Sequence, residues 1–166
     1  MAGETAGKPT VLLVDDETSI VSLGKRLLEQ AGFAVLTAEG SSEALKICKN
    51  HPGAVDILVT DLVLPPPGFS LASGNNEFPH VHGHQLAIRA LKMRENLRVV
   101  LMSGNIDKDL AAYGIKIGAV PFISKPFENE AMVALVRRTL QSPPLTPDSL
   151  LKESTDRPKG SDEWFD

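Results

Sequence analysis

Residues 11–17 read Val-Leu-Leu-Val-Asp-Asp-Glu, four apolar residues running straight into three acids. A short, continuously apolar run fits a strand covered on both faces, as in a parallel sheet flanked by helices. Four further runs come after it: Ala34-Val35-Leu36, Ile57-Leu58-Val59, Val99-Val100-Leu101-Met102 and Val120-Pro121-Phe122-Ile123. Between them the apolar period lengthens to that of a helix. Ile20, Leu23, Gly24, Leu27, Leu28 and Ala31 make one stripe, which Gly32 closes. Ala44-Leu45-Cys48, Ala87-Ala90-Leu91, Leu110-Tyr113-Gly114-Ile117 and Met132-Leu135-Val136-Thr139-Leu140 make four more. Five strands alternating with five helices predict an α/β fold, a doubly wound five-stranded parallel sheet.

The chain of 166 residues suits one domain. Residues 10–141 are expected to form it, after a flexible start at 1–9. Residues 65–83 are rich in Pro, Gly, Ser and Asn and follow neither period, so they read as a long loop. Residues 142–166 hold four prolines, six acids and three bases, too little apolar surface to offset the entropy of ordering, and are expected to be a disordered tail. That tail carries −3 of the net charge of −4. Such a balance argues against direct nucleic-acid binding, which needs a basic face. The single cysteine, Cys48, cannot form an internal disulfide and falls on an apolar stripe. No apolar run approaches the roughly 20 residues that span a bilayer, and the first ten residues lack the apolar core of a signal peptide. A cytoplasmic protein without a membrane segment is expected.

In an open α/β sheet, ligands bind beyond the carboxyl ends of the strands. Asp15, Asp16 and Glu17 follow the first run, Asp61 the third, Ser103 the fourth, and Lys125-Pro126 the fifth. Taken singly, each acid reads as a solvated loop residue and Lys125 as a surface charge. Taken together, they converge on one rim. Close carboxylates repel, and one lysine offsets only part of their charge. The remainder suits a hard, oxygen-seeking divalent ion, of which Mg²⁺ is the common cellular case. Acids, a divalent ion, a lysine and a hydroxyl can cradle a phosphoryl group, and one carboxylate can act as its nucleophile.

From about Thr10 to Leu140 the sequence resembles the response-regulator receiver domains of two-component signalling. The resemblance rests on residues 11–17, Asp61-Leu62-Val63-Leu64-Pro65, Met102-Ser103-Gly104, Ser124-Lys125-Pro126-Phe127 and Gly118-Ala119. The Met-Ser-Gly-Asn stretch at 102–105 is most similar to receivers attached to hybrid sensor histidine kinases. The resemblance implies a flavodoxin-like sheet of order 2-1-3-4-5. It implies that Asp61 accepts a phosphoryl group from a histidine kinase or a histidine phosphotransfer protein. Asp16, Asp61 and the backbone carbonyl of Val63 would hold Mg²⁺, with help from Asp15. Lys125 would pair with a phosphoryl oxygen, and the Ser103 hydroxyl would donate to the group. Phe122 matches an aromatic switch position that reorients with Ser103, and the Lys125–Pro126 bond is often cis in the family. Phosphorylation, adding roughly 1.5 to 2 negative charges, would then favour one of two surfaces near Ile106 to Phe122 for docking a downstream protein target.

Several features depart from that pattern or compete with it. Seventeen residues separate Pro65 from Gly83 where family members have only a few. This insertion reads either as a tolerated surface loop or as a device that shields the site or selects a partner. His80, His82 and His84 alternate, but neither a cysteine nor a fourth ligand is nearby and His84 begins a helix, which counts against zinc. Phe69, Phe78, Trp164 and Phe165 lie outside the expected core, and the final Asp162-Glu163-Trp164-Phe165-Asp166 reads either as a docking motif or as an inert end. Gly3 to Lys8 is a residue short of a phosphate-binding loop and has no strand before it. A phosphatase with an aspartate nucleophile would need an acid two residues after Asp61, where Val63 stands, so turnover as an enzyme is not expected. A degenerate receiver acting as a phosphorylation-independent interaction module usually lacks an acid or the lysine, and here none is lost. A DNA-binding regulator would need an output domain, whereas 25 residues of biased composition come after the last stripe.

Overall fold

The computed structural model of the chain describes residues 8–65, 78–115, 120–147 and 150. Five strands, β1 (Thr10–Val14), β2 (Ala34–Ala38), β3 (Ile57–Asp61), β4 (Arg98–Ser103) and β5 (Phe122–Ser124), form one parallel sheet of order β2-β1-β3-β4-β5. Helices α1 (Thr18–Gln30), α2 (Ser41–Asn50), α3 (Gly83–Met93), α4 (Ile106–Tyr113) and α5 (Asn129–Leu140) connect or succeed them.

Successive strand residues point to opposite faces, so each apolar run feeds two cores at once. Leu12, Val14, Leu58, Val99 and Leu101 pack with Leu45 of α2, Leu86 and Ile88 of α3, and Leu110 of α4. Val11, Leu13, Ile57, Val59, Val100 and Met102 pack on the other face with Leu28 of α1 and with Met132, Leu135 and Val136 of α5. That division explains why the runs show no polar alternation: along most of β1, β3 and β4 neither face of the sheet meets water.

Four details differ from, or sharpen, the sequence reading. The stripe expected to continue through Gly114 to Ile117 stops as a helix at Tyr113, because Gly114 takes a left-handed conformation (φ 68°) and caps α4. Ile117 and the Gly118-Ala119 pair lie outside the described residues. Within the stretch expected to be a tail, Leu145 is partly buried and Leu150 fully buried against the α2–α3–α4 face, while residues 148–149 and 151–166 lie outside the described residues. Two leucines supply the apolar surface that the average composition hid. Phe78, expected outside the core, also packs against that face, while Phe69, Trp164 and Phe165 lie outside the described residues. Most of the insertion, residues 66–77, lies outside them as well. Cys48 is buried, and burial pushes its thiol pKa up to about 11, as an inert core residue requires. Among the described residues no helix is long and apolar enough to cross a membrane.

Candidate functional site

The strand order reverses direction after β1, and the crevice between β1 and β3 opens at their carboxyl ends. Asp15 comes directly after β1, and Asp61 ends β3. The backbone ladder continues one step past each strand: the Asp15 N–H donates to Ala38 O at 3.2 Å, Leu62 N–H to Met102 O at 2.8 Å, and Lys125 N–H to Ser103 O at 2.8 Å. The side chains at the rim therefore stand on sheet backbone rather than on free loop, which fixes their spacing.

Asp15, Asp16 and Asp61 each present a carboxylate oxygen within 4.8 Å of the others. Asp15 is fully buried and Asp61 is 5% exposed, whereas Asp16 is exposed. Lys125 reaches across from beyond β5, placing Nζ 2.7 Å from Asp61 Oδ2, 3.0 Å from Asp15 Oδ2 and 3.4 Å from Glu17 Oε1. The second Asp61 oxygen accepts the Val63 N–H at 3.3 Å, and Asp15 Oδ1 accepts the Glu17 N–H at 2.9 Å. Burial raises the pKa of both buried carboxyls above the ordinary aspartate range, outweighing the pull of Lys125. Burial alone would weaken the Lys125 ammonium, but its hydrogen bonds to Asp61 and Asp15 hold its pKa well above the usual lysine range. Asp15, Asp16, Glu17, Asp61 and Asp109 against Lys125 and Lys108 leave an excess of negative charge at a cleft of about 690 Å³, lined by Asp16, Glu17, Asp61, Val63, Asn105 and Lys125 among others. Such a donor set fits a hard divalent cation.

Two further residues shape the site without touching the cleft's chemistry. Gly83 opens α3 against the backbone of Asp61: its N–H donates to Leu62 O at 2.9 Å, and a Cβ there would stand 2.1 Å from Asp61 O. His82, one residue earlier, accepts the Leu64 N–H on Nδ1 at 2.9 Å, fixing the chain that leaves Asp61. The rings of His80 and His82 meet edge-on at 5.3 Å, and His84 is buried within α3. Among the described residues the aspartate trio is the group whose ligand atoms come together, and of the alternating histidines it is His82 whose ring supports the backbone.

Ser103 ends β4, fully buried. Its hydroxyl donates to Asp109 Oδ2 at 2.6 Å and accepts the Asn105 N–H at 2.9 Å. Phe122 begins β5, partly buried, and the Lys125–Pro126 bond is cis. The sequence reading overlooked Asp109, and it named Gly83 and His82 without their contacts to the backbone that leaves Asp61. Asp109 carries a faint signal, an acid in the first turn of the helix after Ser103. The contacts of the other two depend on which backbone α3 meets, which spacing along the chain does not reveal.

The family model for the response regulator receiver domain matches residues 11–137. The chain belongs to the receiver-domain family. It is similar to the transcriptional regulatory protein CpxR of Escherichia coli strain K12, 27% identical over 131 residues that make up 79% of this chain and 49% of the relative. It is similar also to the sensor kinase CckA of Brucella abortus strain 2308, 28% identical over 140 residues, 84% of this chain and 13% of that protein. Among solved structures, a response regulator receiver protein from Sinorhizobium medicae superposes with a TM-score of 0.65 at 25% identity, covering 82% of this chain and 98% of its own. This receiver domain thus spans about half or less of the length of these curated relatives. Receiver domains are signalling switches that bind Mg²⁺ at an acidic cluster and interact with histidine kinases and downstream effectors. This receiver has an acidic group of Asp15, Asp16 and Asp61.

Proposed function

We propose that this receiver domain is a working phosphoacceptor of a two-component phosphorelay, with Asp61 as the residue phosphorylated. The observation that carries the reading is the bridging of Asp61 and Asp15 by Lys125 beside a third carboxylate, Asp16. An Asp61 carboxylate oxygen attacks the phosphorus of a phosphohistidine on a histidine kinase or phosphotransfer protein. The new bond is O–P, the P–N bond breaks, and the departing imidazole nitrogen takes up a proton. Asp16, Asp61 and the Val63 carbonyl are the groups suited to Mg²⁺, with Asp15 behind them. When bound, the ion neutralises charge on the transferring phosphoryl oxygens. Lys125, beside Asp61, would also offset that charge, moving its hydrogen bond from carboxylate to phosphoryl oxygen. Val63 gives the cleft no general acid, so the phosphorylated state ends by water rather than by enzymatic turnover.

The bound phosphoryl then draws the Ser103 hydroxyl, and Phe122 moves into the space this leaves. The face from Ile106 to Phe122 is the surface that changes, offered to a downstream protein. The interaction-only reading usually goes with a lost acid or lysine, and the presence of Asp15, Asp16, Asp61 and Lys125 in one group supports the phosphoacceptor reading over it. Mg²⁺-dependent labelling with acetyl phosphate tests the proposal. Intact mass should rise by one phosphoryl group on the wild type, and neither on Asp61→Asn nor after chelation by EDTA. An unlabelled wild type would sink it.

A further inference from the structure

The Ser103 hydroxyl has one proton to give, and Asp109 holds it at 2.6 Å. An oxygen–carboxylate bond that short is among the stronger hydrogen bonds proteins make. The same oxygen accepts from Asn105 N–H, so both the proton and an acceptor site of the hydroxyl are engaged inside a fully buried side chain. Asp61, by contrast, accepts from Lys125 and from the Val63 N–H among the described residues. Asp109 is half-buried in the first turn of α4, where the helix N-terminus favours its charge. It lines the same cleft as Asp61, and Tyr113, one turn further along α4, feels both carboxylates.

We propose that Asp109 is a positioning residue that holds the Ser103 hydroxyl away from the phosphorylation site, so that a phosphoryl group on Asp61 must win the single Ser103 proton from Asp109. The inference rests on the reading of Asp61 as phosphoacceptor and of Ser103 as the residue that answers it. Its consequence is a threshold. The bond that must break also ties the start of α4 to the end of β4, so the release of Ser103 and the release of the α4 face are one event. Two anions, the Asp109 carboxylate and the phosphoryl group, compete for one donor, and only one arrangement at a time satisfies it.

Calorimetric titration with beryllofluoride and Mg²⁺, a phosphoryl mimic that requires no kinase, tests the competition. Asp109→Ala should tighten binding about tenfold, the loss of a charge-assisted hydrogen bond that the mimic otherwise has to break. Asp109→Asn, which keeps the side chain's shape but weakens the acceptor, should fall between the two. In a Ser103→Ala background the Asp109→Ala effect should shrink several-fold, because only general charge repulsion is left for it to relieve. Equal effects in both backgrounds, or no tightening at all, would overturn the role of Asp109 while leaving the phosphoacceptor reading intact. A wild type that takes up no beryllofluoride and no phosphoryl group would overturn both.

Discussion

Lys125 Nζ lies 2.7 Å from Asp61 Oδ2, although 64 residues separate the two along the chain. The same ammonium serves Asp15 at 3.0 Å. Removing it leaves two buried carboxylates without a counter-charge. Because burial already raises both pKa values, the folded state binds more protons than the unfolded chain between the ordinary aspartate value and the raised ones. Stability therefore falls as pH rises through that window and stays lower above it. Lys125→Met lifts the two values further. It is expected to cost about 2 kcal/mol near pH 7, a deficit that shrinks as pH falls toward about 4. Urea unfolding at a series of pH values measures it, and a deficit independent of pH would contradict the assignment.

Gly83 sits where a side chain has no room. Its Cβ would meet Asp61 O at 2.1 Å and Leu62 Cα at 2.9 Å, both of them backbone atoms that cannot swing away. Gly83→Ala should destabilise the fold by about 2 to 3 kcal/mol, since overpacking against fixed backbone forces a shift of α3 or β3. The shift would reach Asp61 directly, so the rate of labelling by acetyl phosphate should drop in the folded fraction. Denaturant midpoints and labelling time courses on the same sample separate the two effects.

Val63 is 38% exposed and faces the cleft that holds Asp61. An apolar side chain there cannot orient an attacking water. Val63→Asn should shorten the lifetime of the phosphorylated state several-fold with little change in stability. Loss of the phosphoryl mass with time, after removal of the donor, reports it directly. An unchanged lifetime would mean that water reaches the phosphoryl group by another path.

Arg94 caps α3 and sends its guanidinium to three carbonyls, Cys48 O at 2.9 Å, His51 O at 2.7 Å and Gly53 O at 2.7 Å. These bonds tie the end of α3 to the connection between α2 and β3, at the amino ends of the strands. Arg94→Ala should cost about 2 kcal/mol, and Arg94→Lys should recover little of it because an ammonium cannot span the three acceptors in one plane. Labelling of Asp61, at the opposite ends of the strands, should be unaffected. Thermal unfolding of the three proteins, with labelling run in parallel, checks both halves.

The apolar runs and helical stripes were sufficient to read the fold, because in a doubly wound sheet each strand must be apolar on both faces and each helix on one. The rim residues were legible for a related reason: Asp15, Asp61, Ser103 and Lys125 stand immediately beyond or at the ends of predicted strands, so their position along the chain already implies their position in space. The segments after the helices were harder to read. Leu145 and Leu150 were hidden in a segment whose average composition argues against packing, yet burial depends on two side chains and not on an average. Helix α4 ended early because Gly114 took a conformation that its place on an apolar stripe did not reveal.

The order of elements, and the chemical groups that arrive at one edge of the sheet, were determined by the sequence alone. Only the tertiary structure decided which of those groups touch. Lys125 spans the crevice between Asp15 and Asp61, while Ser103, on the strand next to β3, turns to Asp109. A hydrogen bond needs its partner within about 3 Å. Periodicity places a residue on a face or at an end, but it leaves the last few ångströms to the packing of helices that the strand pattern does not specify.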